Sequence, residues 1–241
     1  GADQLDFSAY TTPINTTLTG VGSVDGFRLL ISGMDAVFTD MDVLIGSSAN
    51  GDTLTGLNAA STWNQTNSLT TYVSTNTLTF SGFETLTSGS GIDLFNIYGN
   101  MTYDLNGGSG NDAFRFNNDG VLYGNIEGGS GYDTLDFSQT TNARRIALTA
   151  YQPGDGFMGS DSSLTPVLLG LFMHINCLIG SSDPNDVDVL YGIDRDATWT
   201  VGPTSNSYTS TSTLDFSNFE ALYGGDLVDT FLVTGIHGIS L

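Results

Sequence analysis

The chain has 241 residues, of which 26 are aspartate or glutamate and five are lysine or arginine, for a formal net charge of −21 at pH 7. We expect no nucleic-acid partner, because phosphate contacts require lysine and arginine side chains. A hydrophobic content of 39% with 11% aromatic residues is enough for a packed core, so the chain is not a disordered acidic polypeptide. The acidity fits two explanations equally: a bound divalent cation, or the solubility of a secreted protein.

In chain order, the sequence segments of the first half return in the second half. Residues 1–8 resemble residues 131–138, and the ten residues from Thr77 resemble the ten from Thr213. The offset between the copies grows slightly along the chain and then stays constant, which indicates a tandem duplication with a few inserted residues. We predict two cassettes, residues 1–130 and residues 131–241, the second being a truncated copy that continues directly from the first.

Between the repeated segments, short runs rich in Thr, Val, Phe, Tyr and Leu alternate with Gly, Asn, Ser and Asp, which predicts short strands joined by turns. Residues 9–43 and 139–177 follow this pattern poorly, and we interpret them as longer loops or a small excursion. Within them, residues 29–31 and 168–175 are predicted to include a short helix.

The apolar run at residues 167–179 is too short to cross a bilayer, which takes about 20 residues, so we expect no membrane span. It contains the single cysteine, Cys177. We interpret this residue as a small buried hydrophobic side chain, because one cysteine allows no internal disulfide.

A glycine-rich motif marks the middle of the chain. Gly-Gly-Ser-Gly-x-Asp occurs at residues 107–112 and again at 128–133, and a degenerate copy occupies residues 88–93. Each copy is followed by an alternating apolar segment, which predicts a strand with one buried face. This recurrence predicts an all-β fold, a right-handed parallel β-solenoid with coils of about 20 residues.

The segments 107–115 and 128–136 resemble the calcium-binding nonapeptide of the RTX family, Gly-Gly-x-Gly-x-Asp-x-(large apolar)-x. The resemblance implies Ca²⁺ held between successive turns by the aspartate and by turn carbonyls. Here the motif returns once per coil instead of every nine residues, which favours a wider β-helix with the motif on one edge. The metal-site residues that the resemblance implies are Gly108, Gly110, Asp112, Gly129, Gly131, Asp133 and Asp93.

The geometry of stacked coils bears on the same site. Asp93, Asp112 and Asp133 are expected to stack about 4.8 Å apart, where like charges repel unless something neutralises them. Ca²⁺, which takes six to eight oxygen ligands, is one solution. The alternative is a plain turn in which each aspartate accepts a hydrogen bond from a neighbouring amide. The cluster of acidic residues at 183–188 is a weaker calcium candidate.

The aromatic residues admit two interpretations. Trp63 and Trp199 recur at one spacing, as do Phe80 with Phe83 and Phe216 with Phe219. On an exposed face they would form a platform for sugar rings, but stacked core aromatics are the favoured interpretation.

We predict no catalytic residue and no organic cofactor. The two histidines, His174 and His237, show no metal-ligand spacing, and neither a nucleophile elbow nor a phosphate loop is present. The chain is therefore expected not to be an enzyme. The alternative is a polysaccharide lyase or hydrolase on a β-helix, with acids clustered beside Arg144 or Arg145.

The whole chain also resembles large repetitive bacterial surface proteins, adhesins and haemagglutinin-like β-helices. This resemblance implies an extracellular or cell-surface location and a structural role as a repeat segment or subunit of a fibre. Because Gly1 resumes the repeat about where Leu241 leaves off, we expect self-association head to tail, or neighbouring repeats of a longer chain. A carbohydrate-binding adhesion module, contacting surface polysaccharide through exposed Trp63 and Trp199, is the alternative.

Overall fold

The computed structural model describes residues 1–152 and 155–235, and every regular element in these ranges is a β-strand. His237, cited for the lack of metal-ligand spacing, and Leu241, cited for head-to-tail association, lie outside the described residues. In the described part of the chain, nothing has the helical length and apolarity required to cross a membrane. The prediction of an all-β chain is confirmed.

Twenty-six strands follow one another along residues 1–152 and 155–235. In the first cassette they are β1 (Asp3–Asp6), β2 (Asn15–Val21), β3 (Phe27–Ile31), β4 (Val37–Ile45), β5 (Thr53–Thr55), β6 (Ser61–Gln65), β7 (Thr70–Val73), β8 (Thr77–Ser81), β9 (Thr85–Thr87), β10 (Asp93–Ile97), β11 (Asn100–Met101), β12 (Asp104–Asn106), β13 (Ala113–Asn117), β14 (Val121–Leu122) and β15 (Ile126–Glu127). In the second they are β16 (Thr134–Gln139), β17 (Arg145–Tyr151), β18 (Phe157–Asp161), β19 (Leu171–Ile175), β20 (Cys177–Ile179), β21 (Val189–Tyr191), β22 (Ala197–Val201), β23 (Asn206–Thr209), β24 (Thr213–Ser217), β25 (Ala221–Tyr223) and β26 (Asp229–Val233).

Twenty-four of these strands form one mixed sheet, and β11 pairs with β14 in a second, two-stranded sheet. Two long parallel ladders dominate the large sheet. One runs β2–β5–β9–β12–β15–β19 and the other β6–β10–β13–β16–β20–β24. Antiparallel triplets extend the starts of the ladders, β2–β3–β4 at the first and β6–β7–β8 at the second.

The short coil predicted from the glycine motif holds only in the middle of the chain. Asp93 and Asp112, at the starts of paired strands, are 19 residues apart, and Asp112 and Asp133 are 21 residues apart. Elsewhere, residues that meet on neighbouring coils are farther apart in the sequence. The separation ranges from 32 residues between Asp52 and Glu84 to 46 between Asn125 and Leu171. The uniform short coil is therefore wrong for most of the chain, because the longer steps carry antiparallel hairpins or extended loops.

The two segments interpreted as loops with a short helix are strands instead. Residues 9–43 contain β2 and β3 and lead into β4, and residues 139–177 contain β17, β18 and β19. Phe27, Leu29 and Ile31 are buried while the residues between them are exposed. This alternation is the period of a strand, and it overrides the helical interpretation.

The core lies beneath the two long ladders and is stacked along them. Phe114, Phe116, Leu135 and Phe137 are fully buried, as the alternation after each motif aspartate predicts. Rings on neighbouring strands lie parallel: the Phe95 and Phe114 ring centroids are 4.9 Å apart, and those of Phe116 and Phe137 are 5.2 Å apart. In-register parallel pairing places the Phe95 and Phe114 rings directly above one another, whereas Phe116 and Phe137 stack where the pairing of β13 with β16 changes register.

The duplication is visible in the strand order. Strands β5 to β10 recur as β21 to β26 at a constant offset in the sequence, and the same strands pair in the same register. The Trp63–Phe95 stack, with centroids 5.5 Å apart, returns as the Trp199–Phe231 stack at 5.6 Å.

One pair of buried residues differs in chemistry between the cassettes. Ile14 and Ile31 are buried in the first cassette. The equivalent positions of the second cassette hold Arg144 and Asp161, whose side chains are both completely buried and lie 3.3 Å apart from Nη1 to Oδ2. A buried ion pair is a weak source of stability, but breaking one by removing a single partner is costly.

We predict strong coupling between these two residues. Asp161→Ile leaves a guanidinium buried without its counter-charge and is expected to cost about 3–5 kcal/mol in the free energy of unfolding. Adding Arg144→Ile, which restores the isoleucine pair of the first cassette, is expected to recover only part of that loss, because the backbone N–H groups of Ser163 and Val167 still lack the carboxylate that accepts them. Urea unfolding of both single variants and the double variant measures the coupling. Simple additivity of the two effects would contradict it.

Candidate functional site: the aspartate column

Asp93, Asp112 and Asp133 are here called the aspartate column: Asp93 is the first residue of β10, and Asp112 and Asp133 directly precede β13 and β16. The strand register places them one above another, as predicted. All three side chains are almost completely buried. The column therefore points into the molecule and not outward from the turns.

The predicted glycines adopt the backbone conformation that the turns require. Gly108, Gly110, Gly129 and Gly131 all have positive φ, from 82° to 133°, a region that favours glycine. Adjacent turns also approach closely, because a Cβ on Gly131 would lie 1.7 Å from the Gly110 carbonyl oxygen. Both features explain why the motif is written with glycine.

Each column aspartate bonds to the turn before it. Asp112 Oδ1 accepts the backbone N–H of Asp93 at 2.8 Å, and Asp133 Oδ1 accepts that of Asp112 at 2.9 Å. Asn176 continues the series by accepting the Asp133 N–H at 2.9 Å, while Ser61 Oγ donates to Asp93 Oδ1 at 2.5 Å. These are the hydrogen bonds to a backbone amide that the plain-turn alternative predicts, but here each bond joins two neighbouring turns.

The second oxygen of each column aspartate is different. Oδ2 of Asp93, of Asp112 and of Asp133 is buried and has no hydrogen-bond partner among the described residues. Burying an unpaired carboxylate oxygen is costly. A proton or a cation on these oxygens removes the cost.

Main-chain carbonyl oxygens lie close to two of these unpaired carboxylate oxygens. The position that a Cβ on Gly107 would occupy lies 2.6 Å from Asp112 Oδ2 and 2.4 Å from the Gly128 carbonyl oxygen. One turn on, the Cβ position of Gly128 lies 2.8 Å from Asp133 Oδ2 and 2.2 Å from the His174 carbonyl oxygen. Carboxylate and carbonyl oxygens are the ligands that Ca²⁺ prefers, so the chemistry of these donor atoms suits a calcium ion.

The electrostatics of the column favour protonation when no cation is bound. Burial, with added repulsion from Asp133 and Asp93, raises the pKa of Asp112 to about 7. Burial, with repulsion from Asp155 and Glu127, raises the pKa of Asp133 to about 6. Burial also raises the pKa of Asp93. The folded column therefore ionises at a higher pH than a free aspartate does.

We predict that calcium-free protein loses stability as the pH rises from about 4 to 8. An unfolded aspartate ionises near pH 3.9, whereas folded Asp112 keeps its proton until about pH 7. Ionisation therefore favours the unfolded state across this window, by an amount on the order of a few kcal/mol. Urea unfolding at several pH values, in a chelator, measures the slope.

Asp112→Asn is the matched variant, because Asn176 already fills the equivalent place two steps along the column. Its amide oxygen can accept the Asp93 N–H without carrying a charge. We expect a smaller loss of stability with pH in this variant than in the wild type. An unchanged slope would show that Asp112 does not titrate as its burial implies.

A second ladder of carboxylates was missed by the sequence interpretation. Glu84 Oε2 accepts the backbone N–H groups of Gly51 and Asp52 at 2.8 Å, and Glu220 does the same for Asp188 at 2.8 Å. The recurring Phe-Glu segments of the sequence could have indicated this ladder. Their glutamate accepts hydrogen bonds from main-chain N–H groups.

The acidic cluster at 183–188 divides between two roles. Asp188 belongs to the ladder of Glu220 and accepts the Arg144 N–H at 2.6 Å. Asp183 accepts the backbone and side-chain amides of Asn185, each at 2.9 Å. The Asp183 contacts are those of a local turn, and the Asp188 contact joins two segments that are distant in the sequence.

A group of surface acids was also missed. The carboxylates of Asp3, Asp25 and Asp42 lie within 4.8 Å of one another. Strand β1 pairs with β4 and so brings together acids that are far apart in the sequence, and no local motif announces the group.

The tryptophans and arginines considered as site residues are either buried or packed against another side chain. Trp63 and Trp199 are completely buried, which confirms the core interpretation and leaves no ring face for a sugar. Arg144 is completely buried as well, whereas Arg145 rests on the Tyr191 ring, 5.3 Å from its centroid. Cys177 is only half-buried, so its interpretation as a small buried hydrophobic side chain is wrong.

No protein-family model, curated protein or solved structure matches this chain. The geometry of the column and the ladders is therefore the basis for assigning a function.

Proposed function

We propose that this chain is a structural repeat segment, or a repeating subunit, of a bacterial extracellular fibre or adhesin. Its fold is a right-handed parallel β-solenoid, its role is mechanical, and it performs no catalysis. The observation that carries the proposal is the pair of long parallel ladders with side chains stacked in register along them.

The ladders support a rod. From β1 to β26, the pairings give one continuous row of neighbouring strands, β1–β4–β8–β7–β6–β10–β13–β16–β20–β24–β23–β22–β26. With about 4.8 Å between neighbours, the rod is on the order of 60 Å long. Each strand contacts mainly its neighbours in the row, so stiffness comes from the continuous ladders of hydrogen bonds and rings.

Calcium is part of this proposal. The resemblance of the two glycine motifs to the RTX nonapeptide, the unpaired Oδ2 atoms of the column and the nearby carbonyl oxygens support it. Asp93, Asp112 and Asp133, with turn carbonyls, would hold the ion, which supplies the positive charge that the ionised column lacks. The turns of Gly108, Gly110, Gly129 and Gly131 position these oxygens.

Self-association rests on the exposed face of β26. Among the described residues β26 pairs only with β22, and Phe231 is 47% exposed. Its first-cassette counterpart, Phe95, is covered by Phe114 of β13. A further strand, from a following repeat or from a second copy joined head to tail, would cover Phe231 in the same way.

We predict that calcium stabilises the chain at pH 8. Titration from chelator into millimolar calcium is expected to raise the midpoint of unfolding, followed by circular dichroism, and to increase particle length in light scattering. The physical reason is that a cation offsets the repulsion within the ionised column. A chain that is already folded and indifferent to calcium would contradict the calcium part and leave the rod intact.

Asp112→Asn and Asp104→Asn form a matched pair for this titration. Asp104 is an exposed acid on the neighbouring ladder, where it accepts the Asn125 N–H at 2.7 Å. We expect the response to calcium to be lost in Asp112→Asn and kept in Asp104→Asn. Equal loss in both variants would point to general charge screening.

A further inference from the structure

A groove crosses one face of the first cassette. It is lined by β4 and β8, by the loop at residues 66–70 and by residues 100–103. Its volume is about 470 Å³, within the range of small-molecule and glycan sites.

Two contacts hold the loop of this groove in place. Asn67 Oδ1 accepts the backbone N–H of Asn100 at 2.8 Å, and the hydroxyls of Thr70 and Tyr103 lie 3.2 Å apart. Because these bonds fix residues 66–70 against residues 100–103, the shape of the groove is set before any ligand arrives. Preformed sites avoid part of the entropic cost of binding.

The same groove recurs in the second cassette. There the loop at residues 202–205 and strands β20 and β24 take the equivalent places, and the volume is about 660 Å³. The two differ in charge, since the second groove is lined by Asp215 and Glu220. All the described residues that line the first groove are uncharged, although the chain carries a net charge of −21.

The lining of the first groove is amphipathic. It includes Ser68, Thr79, Ser81 and Thr102, whose side chains form no hydrogen bond with other described residues, so their hydroxyls are available to a ligand. Leu69, which is 52% exposed, offers an apolar surface beside them. Hydroxyls next to apolar surface suit a sugar ring, which has polar edges and apolar faces.

We propose that the first groove binds a neutral polysaccharide. Anionic chains are disfavoured, because the net charge of −21 repels them and no cationic residue in the described part of the chain lines the groove. This inference is independent of calcium and of assembly into a rod, so either proposal can fail without the other.

The test is affinity electrophoresis of the full chain in native gels that contain dextran, hydroxyethylcellulose, galactomannan or polygalacturonate. We expect retardation by at least one of the three neutral polymers, relative to a gel without polymer, and none by polygalacturonate. No retardation by any neutral polymer, or retardation by polygalacturonate alone, would overturn the proposal.

Ser81→Leu and Ser217→Leu locate the site. Both serines are exposed, and they occupy equivalent places in the first and second grooves. Ser81→Leu removes a hydroxyl and narrows the first groove, so we expect retardation to fall at least tenfold, whereas Ser217→Leu is expected to behave as wild type.

Equal retardation of the two variants would place binding elsewhere and overturn the assignment. Hydrogen exchange of the wild type provides a second measurement if Ser81→Leu does not fold. Polymer is then expected to protect residues 66–70 and 100–103, and protection confined to other segments would also overturn it.

Discussion

In-register parallel pairing is the constraint on which the rest of this molecule depends. It repeats whatever side chain occupies a given register position on the next strand, at the spacing of the strands. Where that side chain is a phenyl ring, as at Phe95 and Phe114, the result is a stack with centroids 4.9 Å apart. Where it is an aspartate, the result is a column of like charges. The same geometry thus produces both stacked aromatic packing and an electrostatic cost.

The structure offsets this cost through the main chain. Oδ1 of Asp112 and of Asp133 accepts the N–H of the neighbouring turn, so these aspartates connect the turns. The other oxygen has no partner among the described residues, which makes the column responsive to protons and suited to a cation. A stabilising contact and a sensitivity to pH therefore reside in the same side chain.

The duplicated cassettes show which features the architecture requires. The tryptophan stack, the glutamate that caps a strand start, and the groove return in both copies. The buried pair does not, because isoleucines in one copy are replaced by Arg144 and Asp161 in the other. Two solutions to one packing problem within a single chain indicate that the site requires filled volume and satisfied charge, not a particular side chain.

The sequence by itself determined the strands outside residues 9–43 and 139–177, the glycine turns, the duplication and the burial of alternate residues such as Phe114 and Phe116. These follow from local chemistry, because side chains alternate along a strand and glycine tolerates the turn conformations that other residues resist. Tertiary structure decided which strands meet. Asp52 lies beside Glu84, 32 residues away, and Asp133 beside Asn176, 43 residues away. The entropic cost of closing a loop rises slowly with its length, so a hairpin can be inserted between two paired strands at little cost. The spacing of motifs in the sequence then no longer predicts which strands pair.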